Sequence, residues 1–413
     1  MNGFSNWQKW LALTFLLGGH TVFAQTWVQS TAPTNYWSST VCSADGAKIF
    51  ACAGGGKVWT GFRSPIYISA DAGLTWSQTA APSNYWASIA ISADGLNLVA
   101  AGGSSTKSAG IYTSTNGGLN WISNNISPQQ WSSVASSVDG NKLFAVTLSG
   151  QFFNSTNSGN TWSSNAAPNG SWAIACSSDG NKLIAAPGNF GGYLCTSTNS
   201  GKNWKTNTSI SSRIWWNVAS SADGSILAAV DGAGGPGSRV FSSTNSGTTW
   251  ATNSLPFLWS WQNVAMSANG GKLIAAAWQG SAGPGPIYTS TDFGANWISN
   301  SIPSAFWQGL SCSANGNNWV AISAGTNLGG IGKGSIWISQ TPPLNALKIS
   351  SPGNLQLSWT IPSTNLVLQQ NADLLTTNWL DVTNVPVVDL TNLQNQVVLP
   401  LPSNNSFFRL KTQ

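Results

Sequence analysis

Between residues 26 and 340 the chain alternates short apolar runs with polar turn clusters, and no stretch has the rhythm of an amphipathic helix. The runs are rich in Val, Ile, Ala and aromatics, the composition of half-buried strands. In the second unit they fall at 88–92, 98–101, 110–114 and 120–123. Two turn signals punctuate them. Ser-x-Asp/Asn-Gly recurs seven times, with its turn residue at Asp45, Asp94, Asp139, Asp179, Asp223, Asn269 and Asn315. Asp-Gly and Asn-Gly tolerate positive φ and close tight hairpins. A longer signal, Ser-x-Asp/Asn-x-Gly-x-x-Trp, recurs six times, and its closing tryptophans lie 45, 41, 42, 46 and 47 residues apart. A period in the forties with four strands per unit predicts a repeat architecture of small sheets.

Seven hairpin turns against six tryptophan boxes leave the last unit one strand short. Its third strand is expected at 335–339, before Thr341-Pro342-Pro343. Near the N-terminus, Thr26-Trp27-Val28-Gln29-Ser30 reads like a fourth strand, by comparison with Thr75-Trp76-Ser77-Gln78-Thr79. Pairing the two would close a ring and hide the edges that a linear array exposes. The predicted fold class is therefore all-β: a seven-bladed β-propeller over 25–341, closed by the N-terminal strand, plus a small C-terminal β domain over 344–413.

The boxes resemble the Asp-box, or BNR, repeat of sialidase-like β-propellers. That resemblance implies a structural turn, with the acidic or amide side chain bonding nearby backbone and the tryptophan packing beneath. The pairs are Asp71 and Trp76, Asn116 and Trp121, Asn157 and Trp162, Asn199 and Trp204, Asn245 and Trp250, and Asp292 and Trp297. Asparagine in four of six suits an Asx-turn and argues against metal binding. WD40 repeats share the period, but the chain has no Trp-Asp dipeptide. The box does not imply sialidase activity, because a propeller hosts many functions.

Lys9, the apolar run 10–17 and the small residues before Gln25 read as a cleavable secretory signal over 1–24, too short to span a membrane. Beyond residue 344 the repeats cease, and strands are expected at 355–359, 366–369, 397–399 and 407–410. This tail ends in Phe-Phe-Arg-Leu and resembles a C-terminal module of secreted verrucomicrobial proteins, which implies attachment or sorting.

Composition narrows the chemistry. The one histidine, His20, lies in the signal, and all eleven acidic residues are aspartates. Histidine triads, His-ligated zinc and glutamate acid catalysis are unavailable. Five aspartates sit in hairpin turns, two in boxes and three in the tail, leaving Asp231. No cofactor, metal or catalytic residue is expected. The net charge of +5 is too small and dispersed for nucleic acid. Cys42, Cys176 and Cys312 share one slot three residues before the turn residue. With Cys52 and Cys195 they are expected to be mostly free, buried thiols.

If both turn signals lie at one end, the loops at the other end are the place for a ligand. Trp37, Trp86, Trp131, Trp215, Trp261 and Trp307 lie eight residues before their turn residue and Trp172 seven, as a ring at a channel mouth or as inter-sheet packing. The tryptophans that symmetry does not demand, Trp59, Trp216, Trp259 and Trp278, are the better ligand candidates. Arg63, Arg213 and Arg239 supply bidentate donors for carboxylate, sulfate or phosphate, with Asp231 opposing them. Lys48, Lys142, Lys182 and Lys272 follow the turns and are expected to pair locally with their aspartates. The expected function is a secreted, non-catalytic binding propeller for a glycan, anionic ones included, or an extracellular protein, acting as a monomer. A glycosidase or lyase using Asp231 and an adhesion module are the alternatives.

Overall fold

Seven antiparallel four-stranded sheets follow one another from residue 26 to residue 340 in the computed structural model. It describes residues 26–54, 62–104, 106–166, 171–188, 191–232, 238–253, 255, 260–278, 283–325, 332–340, 348–350, 354–360, 366–372, 378–384, 387–389, 394–400 and 406–412. The expected signal over 1–24 lies outside the described residues. In the second sheet the strands are Trp86–Ile91, Leu98–Ser104, Lys107–Ser114 and Ile122–Ser123, close to the expected positions. The seventh comprises Phe306–Cys312, Asn318–Ala324, Ile336–Gln340 and, at its edge, Thr26–Gln29. Trp27 stands opposite Ser339 in that register, and its indole N–H donates to Asn300 Oδ1 at 3.3 Å.

Both turn signals sit at the same end. Within the first sheet, the Ala72 amide of the box donates to Ala47 O of the hairpin turn at 2.8 Å, and Ser158, Ser200, Ser246 and Phe293 repeat the contact in other sheets. Each box is a hydrogen-bonded knot. In the first, the Ser69 hydroxyl donates to Asp71 Oδ1 and accepts from Gly73 N, Asp71 Oδ1 accepts from Thr75 N, and Trp76 Nε1 donates to Gly73 O. Asn199 Oδ1 serves Asn203 N at the same 2.9 Å, so an amide oxygen substitutes for the carboxylate. The residue after the acid or amide is forced to positive φ, at 56° for Ala72 and 60° for Phe293.

One residue before each hairpin's turn residue, backbone hydrogen bonds run from sheet to sheet. Ala44 N donates to Ala93 O, Ala93 to Val138, Val138 to Ser178, Ser178 to Ala222, Ala222 to Ala268, Ala268 to Ala314, and Ala314 back to Ala44. These seven bonds, each 2.7–2.9 Å, return to their starting residue. Apolar clusters fill the seams between neighbouring sheets. The first and seventh share one in which Trp37, Ile49 and Ala51 meet Val320, Ile322 and Ile336.

The lysines correct an expectation. They do not bond their own aspartates but reach forward to the next turn. Lys48 Nζ donates to Asp94 O (3.0 Å), Lys142 Nζ to Asp179 O (2.8 Å) and Lys182 Nζ to Asp223 O (2.9 Å). Lys272 Nζ reaches Asn317 Oδ1 at 2.6 Å. Asn97 and Asn318 occupy the same position and donate to Asp139 O and Asp45 O. The own-turn carboxylate is already taken: in the third turn, Asp139 Oδ1 accepts from Ser137 and from Asn141 N.

After the seventh sheet the chain forms two more. One orders Lys348–Ser350, Asn354–Thr360, Gln394–Pro400 and Val387–Asp389; the other orders Leu380–Asp381, Leu366–Asn371 and Phe407–Thr412. The four strands expected in the tail fall within these.

Candidate functional site

The repeated tryptophans are core. Trp37, Trp86, Trp131, Trp215, Trp261 and Trp307 are all at most 3% exposed, which removes them as a ligand-stacking ring. Five of them meet an aromatic of the third strand edge-on, as Trp215 meets Phe241 at 5.3 Å and 69°. Trp131, Trp215 and Trp307 donate their indole N–H to a backbone carbonyl at 2.8–2.9 Å.

Trp172 does not belong to that set. Each first strand has a β-bulge one residue after this position: Trp215 pairs with Asp231, Trp216 is skipped, and Asn217 pairs with Val230. In the fourth sheet Ser171 takes the register of the buried tryptophan and Trp172 is the bulged residue. Ser38, Ala87, Ser132, Gln262 and Gln308 are bulged in the other sheets. The fourth and fifth sheets are thus the two that place tryptophan there. A bulge re-aims a side chain and terminates regular pairing, which is why such positions gather at functional rims.

Around the bulge at Trp216 three predicted residues come together. Asp231, at the end of the strand Leu227–Asp231, has no solvent exposure. Its Oδ2 accepts from Arg213 Nη1 at 2.6 Å and its Oδ1 from the Arg239 backbone amide at 2.5 Å. Asp231 N in turn donates to Arg239 O. Burial pushes the Asp231 carboxyl above its usual range, against the opposing pull of the Arg239 amide and Arg213. Arg213 keeps 28% of its side chain exposed, and its guanidinium carbon lies 5.1 Å from the centre of the Phe241 ring. Its backbone is fixed by a two-way pairing with Gly192 at 3.0 Å. The half-buried Trp216 lies over Gly232, where an added Cβ would run into the indole.

Phe241 was not among the sequence candidates, although the repeat register reveals it. It occupies the third-strand place of Tyr67, Tyr112, Phe153 and Tyr288, and in this sheet it has an arginine on one side as well as its tryptophan.

The remaining candidates lie elsewhere. Arg63 is exposed and stands 5.5 Å from the Tyr85 ring centre, beside a stacked pair of Tyr36 and the exposed Phe62 (4.8 Å, 12°). Trp278 donates its indole N–H to Trp307 O at 2.8 Å and meets Phe306 edge-on, filling the seam of the sixth and seventh sheets. Trp59 and Trp259 lie outside the described residues. Among the described residues no group of three or more His, Cys or Asp is arranged to hold a metal. No helix there is long and apolar enough to cross a membrane.

No family model matches the chain, and no curated protein does. Solved structures match by shape. YCF48 bound to D1 peptide aligns with a TM-score of 0.54 at 15% identity, over 79% of this chain and 97% of that one. The GH74 xyloglucanase from Xanthomonas campestris aligns at 0.57 and 13%, over 81% and 59%. The WD40 repeats of RRP9 align at 0.58 and 13%, over 77% and 98%. The fold is a β-propeller. At such identities the likeness extends to the fold alone.

Proposed function

We propose that the protein is a secreted, non-catalytic binding propeller of the Asp-box type, with seven blades and a ring closed by its N-terminal strand. The cycle of seven inter-sheet hydrogen bonds and the pairing of Trp27 with Ser339 support the ring. The ligand is a carboxylate- or sulfate-bearing glycan, held at the end opposite the boxes, over the fourth and fifth blades. One observation carries this: Arg213 is pinned by the buried Asp231 and the Phe241 face while part of its guanidinium stays in solvent. Arg213 meets that carboxylate with its guanidinium and Arg239 with its backbone amide, and the charge of Arg239 also acts on it. A guanidinium already held in place loses little freedom when it grips an anion bidentately.

The same geometry weighs against hydrolysis. A carboxylate with no exposure and both oxygens engaged has no path to a glycosidic oxygen. A peptide carboxylate is the second reading, and the D1 peptide bound by YCF48 shows that one shape relative takes a peptide.

Pull-down of the mature protein on acidic and neutral polysaccharides tests the proposal. Arg213→Ala should abolish retention on the acidic matrices and Arg239→Ala should weaken it. Retention unchanged in both variants would remove the site. Hydrolysis of any tested polysaccharide that disappears in Asp231→Asn would remove the non-catalytic reading.

A further inference from the structure

We propose a second binding site, for a neutral saccharide, in the cleft where the two C-terminal sheets meet. The cleft has a volume of about 600 Å³ and lies between the strand Leu366–Asn371, the segment 378–384 and Leu399 of the other sheet. That volume falls within the roughly 300–1,000 Å³ typical of small-molecule sites.

The lining selects the chemistry. Among the described residues, the carboxamides Gln370, Asn371, Asn378 and Asn384 line it together with Thr383 and the carboxylate of Asp381. A carboxamide presents a donor and an acceptor side by side, which matches adjacent sugar hydroxyls. Leu380 and Leu399 supply apolar wall for the C–H face of a sugar ring. Among the described residues the lining holds no lysine or arginine.

The carboxylate is also held in place. Asp381 Oδ1 accepts from Gln369 Nε2 at 2.7 Å, and Gln369 is itself 5% exposed. Asp381 pairs with Gln369 and Leu380 with Gln370 across the sheet edge, fixing the backbone beneath the cleft. A fixed acceptor loses little freedom when it binds a hydroxyl, and the flanking amides supply further donors and acceptors. This site is independent of the Arg213 cluster, which is cationic and belongs to the propeller.

Calorimetric titration of the mature full-length protein with cello-, xylo-, malto- and chitohexaose tests the inference. At least one should bind. Asn378 and Asn384 are exposed, so the double variant Asn378→Ala/Asn384→Ala keeps the fold, as its unchanged melting curve should verify. It should weaken that binding tenfold or more, while Arg213→Ala leaves it unchanged. Absence of binding to all four sugars overturns the inference. So does affinity that survives the double variant, or that is lost with Arg213→Ala instead.

Discussion

Arg213 Nη1 and Asp231 Oδ2 stand 2.6 Å apart, yet the two side chains live in different surroundings: the carboxylate is fully buried and the guanidinium is 28% exposed. Removing the arginine strands a charge in the interior, whereas removing the carboxylate's charge leaves an arginine that can turn to water. Arg213→Ala should therefore cost about 3 kcal/mol at neutral pH and Asp231→Asn roughly half of that. Burial already holds the Asp231 pKa above its unfolded value, so the ionised form is the one the fold penalises. The penalty grows as pH rises through the folded pKa and vanishes in acid. Urea denaturation across pH should show the gap between Arg213→Ala and wild type narrowing as pH falls.

The hairpin aspartates act in the opposite sense. The hydroxyls of Ser137, Ser177 and Ser221, followed by the amides of Asn141, Asn181 and Ser225, hold Asp139, Asp179 and Asp223 below the usual carboxylate range, Asp223 at about 2. The stability they contribute is present above the unfolded pKa of about 4 and is lost as pH falls through the folded values. These groups are close to solvent, so each contributes a few tenths of a kcal/mol. The triple Asp→Asn variant should fold, since Asn269 and Asn315 already occupy the equivalent place. Its melting temperature should depend less on pH between about 4 and 2 than that of the wild type.

The forward-reaching lysines make a testable latch. Lys142 donates to Asp179 O and Asn181 Oδ1 in the next sheet, so Lys142→Ala removes two bonds across one seam. The contact is exposed, and a loss of about 1 kcal/mol is expected in chemical denaturation. In the fifth sheet Ile226 stands in the lysine's place, packed over Gly270. A polar latch is therefore one of two ways to seat the next turn.

Deleting residues 26–29 takes away the edge strand of the seventh sheet and the Trp27 indole from its apolar cluster. The exposed edge of Ile336–Gln340 would then be free to pair with other chains. The truncated protein should melt at lower temperature and aggregate near its midpoint, as differential scanning calorimetry with light scattering would reveal. An unaltered melting curve would mean that the strand adds nothing to the stability of the seventh sheet.

All five cysteines are unpaired thiols, either buried or partly shielded. Burial pushes Cys42, Cys52 and Cys176 up to about 12, and raises Cys195 and Cys312 as well. A thiol so far from its thiolate form is inert to alkylation at pH 8. Mass spectrometry after iodoacetamide treatment should find no adduct on the native protein and five on the urea-unfolded one.

Much of the fold was legible because each repeat states its own turns. Asp45-Gly46 and its six counterparts carry a local chemical requirement, an oxygen acceptor followed by positive φ, that needs no partner elsewhere in the chain. The missing strand of the last unit was legible too, since Trp27-Val28-Gln29 resembles the strand after a box. The arginine cluster was only half legible. Arg213, Asp231 and Arg239 could be assigned to neighbouring loops, but the order of pairing and the Phe241 floor depend on how two strands meet. Trp172 falls on the bulged position rather than the buried one because it lies seven, not eight, residues before its turn residue, and which of the two positions is bulged is not marked in the hydrophobic pattern.

Sequence alone determined the repeat, its turns, the all-β character and the scarcity of catalytic groups, because these rest on local backbone preference and on which residue types are present. Tertiary structure decided which tryptophans are core, where the lysines reach, that Asp231 is sealed off from solvent, and that a polar cleft lies between the last two sheets. Burial and inter-sheet contact join residues far apart in the chain. A periodic pattern identifies such residues as equivalent but cannot say which of them ends up facing water.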